Sequence, residues 1–198
     1  MNNIADIERF YNERAKSYFE QTVNLDMDAA RKHFAQHVEP GGLVVDAGCG
    51  SGRDSRWFLD NGFCCYSYDA SDELAARAQA YLGAPLQVHC HRHDALALGE
   101  PADGIWASAS LLFLSDEDLA TALQTFHRNL KPGGVLFTSF KHGSGWRQDG
   151  ERRFRDLRPE DAVLLEQLSG LKLLRVHSDE DAQGRGNQWN SFLLRKEN

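Results

Sequence analysis

Apolar residues at Ile4, Ile7, Tyr11, Ala15 and Tyr18 recur with helical spacing, and Asp6, Glu8, Glu13 and Lys16 lie between them, which predicts an amphipathic helix early in the chain. Ala30, Phe34 and Val38 predict a second, which Pro40-Gly41-Gly42 breaks. Leu43-Val44-Val45 then opens a short apolar run typical of a buried strand. From there the pattern alternates: a helix from about Asp54 to Asn61, strand Phe63 to Tyr68, helix Ser71 to Tyr81, strand Leu86 to Cys90 and strand Gly104 to Ala109. Ser115 and the three acids after it start a helix through Leu130, their charge offsetting unpaired N–H groups, and Lys131-Pro132-Gly133-Gly134 ends it. Val135 to Phe140 reads as a strand, Pro159 to Leu168 as a helix, and Leu171 to His177 and Trp189 to Arg195 as the last two strands. The Gly- and Arg-rich segment from Lys141 to Arg158 fits no obvious element and is expected to be a functional loop.

Composition narrows the class. A chain of 198 residues that is 41% hydrophobic and 26% charged, with 5 Pro and 17 Gly, suits one packed domain and excludes global disorder or a fibrous repeat. The net charge of −7 argues against general affinity for nucleic acid. The longest apolar stretch, around Ala107 to Leu114, is far short of the roughly 20 residues of a membrane span. The N-terminus lacks a secretory layout, and Cys49, Cys64, Cys65 and Cys90 form no CxxC pair, so free thiols and a cytoplasmic setting are expected.

The candidate chemistry centres on Val44-Val45-Asp46-Ala47-Gly48-Cys49-Gly50-Ser51-Gly52-Arg53-Asp54, where a buried strand passes into a helix. Glycines there let the backbone approach a ligand closely. Asp46, Asp69 and Asp94 stand at or just past three successive strand ends, which in a parallel sheet face one crevice. Three carboxylates suit a cationic, hydroxyl-bearing cofactor and would repel a pyrophosphate. Asp69, 17 residues after Gly52, is placed to accept ribose hydroxyls. A nicotinamide fingerprint aligned on Gly48 and Gly50 would need Gly or Ala where Arg53 stands, so an oxidoreductase is the weaker alternative. No G-K-[ST] follows the glycines, which excludes phosphate-loop chemistry.

VVDAGCGSGRDS, Asp69, DGIWASASLLFLS and LKPGGVLFTSF, in that order, resemble the motifs of class I S-adenosylmethionine-dependent methyltransferases over about Glu39 to Phe140. The resemblance implies a Rossmann-like α/β/α sandwich with a seven-stranded, mostly parallel sheet, order 3-2-1-4-5-7-6 with strand 7 antiparallel. It implies one domain: N-terminal lid helices (1–39), a cofactor core (40–140), an acceptor-side loop (141–158) and a C-terminal helix and strands (159–198). By resemblance Gly48 and Gly50 approach the amino-acid part of the cofactor, Asp69 holds the ribose, Asp94 and Ala95 lie at the adenine, and Ser108 lines the floor. The small bacterial tellurite-resistance and thiopurine-like enzymes share the compact chain and the loop. The implied reaction moves a methyl group to a small-molecule acceptor, with a non-catalytic cofactor-binding protein and an RNA or protein methyltransferase as alternatives.

Tyr11 and Tyr18 resemble the aromatic lid of small-molecule members, or are core residues of the first helix. Arg53 pairs with the cofactor carboxylate or with a surface acid. Phe113 stands where relatives place a substrate-facing side chain, and where some have a histidine nearby. Lys141, His142, Arg147, Arg152, Arg153, Arg155 and Arg158 cluster after the fifth strand, either steering an anionic acceptor or forming a solvated face balanced by Asp149, Glu151, Asp156 and Glu160. Lys141, Arg153, Arg155 and Trp189 are the acceptor-side candidates; Arg185, Trp189 and Asn190 edge the pocket or form a hairpin. His89, His91 and His93 share one strand face, with no second ligand group spaced to complete a metal site, and read as a half-exposed strand end.

Overall fold

The computed structural model describes residues 4–83, 87–182, 184 and 186–198. Two N-terminal helices, α1 (Ile4–Thr22) and α2 (Asp28–Ala35), precede the alternating core of β1 (Leu43–Ala47), α3 (Arg53–Asp60), β2 (Cys64–Asp69), α4 (Asp72–Leu82), β3 (Val88–Cys90), β4 (Ala102–Ala107), α5 (Asp116–Asn129) and β5 (Leu130–Lys141). A hairpin, β6 (Gly145–Asp149) and β7 (Arg152–Asp156), follows, then α6 (Ala162–Ser169), β8 (Lys172–Glu180) and β9 (Gln188–Arg195). Leu86, the expected start of the third strand, and Arg185 lie outside the described residues.

The main sheet runs β3-β2-β1-β4-β5, all parallel, and continues through β9, antiparallel to β5, to β8. Because β8 and β9 are the sixth and seventh strands of the sequence pattern, this is the expected order with the last strand reversed, but among the described residues the sheet has nine strands rather than seven, since β7 also pairs with the end of β5 and β6 with β7. Strand alternation divides the core. Val45, Ile105 and Leu136 face α5 and α6, whereas Val44, Trp106 and Phe137 face α2 and α3. Phe34 of α2 is fully buried, edge-on to Phe58 and Trp106, with centroids at 5.6 and 5.3 Å. Its seat requires glycine at 104, where an added Cβ would lie 2.5 Å from Phe34 Cζ. Such a buried ring contributes about 3 kcal/mol. Caps fix two helix starts: Ser71 Oγ accepts from Leu74 N and Ser115 Oγ from Asp118 N, each at 3.1 Å.

Two expectations need correction. The fifth strand starts before Val135: α5 ends at Asn129, as Lys131–Gly134 predicts, but β5 already begins at Leu130, and the extra residues are absorbed as a bulge opposite Ala102 and Gly104 of β4. The segment from Lys141 to Arg158 is not irregular either. Asp149 pairs with Arg152 across a two-residue turn whose first position is Gly150 at φ +60°, the place where a tight hairpin turn demands glycine. That Asp-Gly signal outweighed the charge-rich composition on either side.

Candidate active site

The C-terminal ends of β1, β2 and β4 open into a cavity of about 930 Å³, continuous with solvent. Gly48, Gly50, Asp69, Asp94 and Ser108 line it from the sheet, and Tyr11, Tyr18 and Phe113 from above. The glycine turn is tied to β2, since Gly48 N and Cys49 N both donate to Tyr68 O at 3.0 and 2.9 Å. Gly48 has φ +78° and Gly50 φ +54°. An added Cβ at 48 would sit 2.6 Å from Ser110 Cβ, and one at 50 would sit 3.1 Å from Tyr18 Cε1.

Asp69 is oriented by two backbone donors, Gly50 N to Oδ2 and Ser71 N to Oδ1, both at 2.9 Å. Burial raises its pKa while the backbone N–H groups of Ser71, Gly50 and Ala70 pull it back. A carboxylate has about four acceptor sites, so the two remaining suit a vicinal diol. The other strand-end acids behave differently. Asp94 lines the cavity in a short 3-10 turn (His93–Ala95), but Ala95 is exposed outside it. Asp46, 2% exposed, lies beneath the glycine turn and accepts Ser55 Oγ at 2.5 Å. Desolvation, with Asp54 beside it, pushes its pKa to about 7.

Arg53 also points away from the cavity lining. Its Nε and Nη2 grip Asp54 at 2.8 and 2.7 Å, and Asp54 further accepts Trp106 Nε1 at 2.9 Å and Arg31 Nη1 at 3.2 Å. Between the two readings of Arg53 the geometry gives the acid partner, though a buried one.

Above the glycines, the rings of Tyr11 and Tyr18 meet edge-to-face at 5.2 Å, and Tyr11 meets Phe113 at 5.6 Å. Burial raises the pKa of both phenols, so both stay protonated. Tyr11 Oη accepts from Arg152 Nη1 at 3.2 Å, which joins α1 to the hairpin.

Strand alternation explains why the acceptor-side candidates fall elsewhere. On the hairpin, Arg152 and Phe154 share the face toward α1 and Phe113, whereas Arg153, Arg155 and Trp146 share the other. The guanidiniums of Arg153 and Arg155 lie 4.8 and 4.7 Å from the Trp146 ring centre, and Arg155 pairs with Asp116. Lys141 Nζ sits 4.4 Å from the Phe154 ring centre, 5.9 Å from that of Trp189 and 4.0 Å from Asp149. None of Lys141, Arg153, Arg155 and Trp189 lines the cavity. Asn190 is buried, donating to Leu157 O at 2.7 Å.

Other lining residues escaped the sequence reading. His93 Nδ1 is 2.8 Å from Tyr68 Oη, and burial lowers its pKa to about 4, so the ring is neutral at physiological pH. His91 stacks on Tyr68 at 4.1 Å and His89 on Tyr66 at 4.4 Å. Among the described residues no group of three His, Cys, Asp or Glu is arranged to hold a metal. Ala109, at φ +52°, is the one non-glycine residue among those described with positive φ; its N–H donates to Ser139 Oγ at 2.9 Å. That strained turn brings Ser110 to the lining, its hydroxyl buried without a hydrogen-bond partner. The Tyr68 and His93 pairing had a signal in the His89–His93 alternation; the Ala109 turn had none.

A parallel sheet of this order, with a glycine turn after β1 and a carboxylate ending β2, defines the fold of class I S-adenosylmethionine-dependent methyltransferases. Residues 44–134 match the methyltransferase domain family. The malonyl-acyl-carrier-protein O-methyltransferase of Enterobacter lignolyticus (strain SCF1) is 30% identical over 136 residues, covering 65% of this chain and 53% of that protein. The chain spans about half the length of the curated relatives it matches. The 1,6-didemethyltoxoflavin-N1-methyltransferase of Burkholderia thailandensis, solved with 1,6-didemethyltoxoflavin and S-adenosylhomocysteine, is similar at TM-score 0.84 and 19% identity, over 98% of this chain and 89% of that one. The 4+2 cyclase SpnF is similar at TM-score 0.73 and 16% identity, over 96% and 95%. At these identities the solved structures show a shared fold. Among the described residues no helix is long and apolar enough to cross a membrane.

Proposed function

We propose that this protein transfers the methyl group of S-adenosylmethionine to a small-molecule acceptor by in-line displacement. The observation that carries the reading is the convergence of Gly48, Gly50 and Asp69 with Tyr11 and Tyr18 around one cavity. Its residues fit the cofactor: a side-chain-free turn, a carboxylate with acceptor sites to spare, and a buried, unpartnered Ser110 hydroxyl. When bound, the cofactor supplies a methyl carbon on cationic sulfur; the acceptor's lone pair forms the new bond as the C–S pair returns to sulfur. Asp69 holds the ribose hydroxyls, with Asp94 toward the adenine and Ser108 at the floor. The Tyr11 and Tyr18 rings exclude water and favour a cation beside them. Positioning and desolvation then do most of the catalysis, without a dedicated base.

The anionic-acceptor reading moves from Arg153 and Arg155 to Arg152. Arg152 is held over Phe10 and Phe154, at 4.5 and 4.9 Å from their ring centres, and spends one N–H on Tyr11. Arg152 does not line the cavity itself but reaches it through Tyr11, which does, and among the described residues it has no carboxylate within ion-pair distance, which supports recognition of a carboxylate acceptor at the Tyr11 edge. The Gly48–Ser55 loop supports the tellurite-resistance and thiopurine-like subgroup, while the curated relatives are named for an oxygen acceptor. Of the N-terminal segment 1–39 expected as a lid, α1 covers the cavity, whereas α2 packs on the sheet through Phe34 and lines none of it. Four unpaired cysteines support a reducing, cytoplasmic setting.

The test is calorimetry with S-adenosylmethionine, S-adenosylhomocysteine and NAD in parallel, followed by an acceptor screen that starts from small carboxylates and soft nucleophiles. Binding of the first two, with S-adenosylhomocysteine formed in the presence of an acceptor, is expected. Binding of NAD alone overturns the proposal, and cofactor binding without turnover on any acceptor gives the non-catalytic alternative.

A further inference from the structure

On the opposite face of the sheet from α6, strands β5, β8 and β9 and helix α2 line a second recess, of about 650 Å³ and open to solvent. Its floor is apolar, with Phe137 and Leu193, and its walls carry His33, Arg175, His177 and Ser191. Two rows across the sheet build it: Phe137 beside Leu193 beside Arg175, and Ser139 beside Ser191 beside His177. A bulge between Leu173 and Arg175 sets the aim of the arginine. Leu173 and Val176 both pack into the α6-side core, which strict alternation over three residues forbids. The extra residue, Leu174, stays 41% exposed, and Arg175 turns toward α2.

The recess holds more donors than acceptors. Arg175 makes no ion pair or hydrogen bond with any described residue, and His33 Nε2 is buried without a partner. Burial, with Arg175 beside it, lowers the His33 pKa, while a side-chain hydrogen bond with Gln36 works the other way, leaving Nε2 as the ring atom without a partner. One row further along, Arg195 Nη2 lies 3.1 Å from His37 Nδ1 while its Nε is buried and unpartnered. The acid at this recess, Asp179, is already engaged by His177 at 2.9 Å. A cation and orphaned donors over an apolar floor, in a protein of net charge −7, match a ligand with one anionic group and one apolar body.

We propose that this recess is a second binding site, for a small organic anion such as an aromatic or branched aliphatic carboxylate, held by Arg175, His33 and Ser191 above Phe137 and Leu193. It shares no lining residue with the first cavity and stands independently of the methyltransferase reading.

Benzoate is the probe, read by NMR of the histidine ring nitrogens, with inorganic phosphate titrated in parallel. Saturable shifts of His33 and His177 with benzoate are expected, weakened at least tenfold in Arg175→Gln and unchanged in Asp69→Ala. Arg175→Gln removes an exposed side chain, and its melting midpoint reports an intact fold; His33→Gln repeats the test from the α2 side. Non-saturating shifts, equal benzoate affinity in Arg175→Gln, or phosphate binding as tightly as benzoate would each overturn the proposal.

Discussion

Replacing Asp69 separates what its carboxylate does for the loop from what it does for a ligand. In the folded protein it accepts Gly50 N and Ser71 N, both at 2.9 Å. Hydrogen bonds to a charged partner contribute about 1.5–3 kcal/mol each, but this carboxylate also carries a burial penalty, visible in its raised pKa, which its removal relieves. The net loss in Asp69→Ala is therefore about 2–3 kcal/mol, near the lower bound for two bonds. For a chain of this size that lowers the melting midpoint by roughly 5–10 °C. The two remaining acceptor sites, facing the cavity, add about 1.5–3 kcal/mol of binding, so S-adenosylhomocysteine should bind roughly tenfold to a hundredfold more weakly. Asp69→Asn keeps the shape, yet its amide NH2 must face one of the two backbone N–H groups, so most of both effects remains. Scanning and titration calorimetry on the same samples read the two quantities. Native affinity for S-adenosylhomocysteine in both variants, with the fold intact, would refute the assignment of Asp69 to the ribose.

The buried Asp46 carboxyl titrates near 7 in the folded protein against about 3.9 when unfolded, so its contribution to stability is full below pH 4 and is lost as pH rises toward 7. Asp46→Asn should flatten the urea-unfolding free energy across that window, and an unchanged slope would move the titration to another group. Gly48→Ala combines φ +78° with a Cβ 2.6 Å from Ser110 Cβ, so cofactor affinity should fall by tenfold or more, with a smaller loss in Gly48→Ala/Ser110→Gly; equal losses would remove the clash from the explanation. Arg152→Gln should raise the KM for a carboxylate acceptor by about tenfold or more with little change in cofactor affinity, whereas Arg153→Gln should leave both near native values. The reverse ranking would return recognition to the Trp146 face of the hairpin.

Strand alternation and turn chemistry made most of the fold legible. Leu43–Val45, the acids after Ser115 and the two terminal strands each read correctly because local preference and tertiary role agree there. The hairpin was missed because its strands carry arginines where β-branched residues usually stand, and only Asp149-Gly150 marked the turn. In the site, glycines and acids at strand ends were visible from spacing alone. Which of them face the cavity was not: Asp46 and Asp94 share a strand-end position, yet one is sealed under the glycine turn by Ser55 and the other lines the cavity. The choice among the arginines likewise rests on the register of a hairpin that composition concealed.

The contact between Arg152 and Tyr11 spans 141 positions of the chain. During synthesis, Gly48, Gly50 and Asp69 therefore leave the ribosome well before the hairpin that braces the aromatic cover. At roughly 5–20 residues per second that interval is several seconds. For that time the nascent chain exposes the α1 face bearing Phe10 and Tyr11 without its partner, so the first helix is the segment a chaperone would meet, and closure of the site is among the last events of folding.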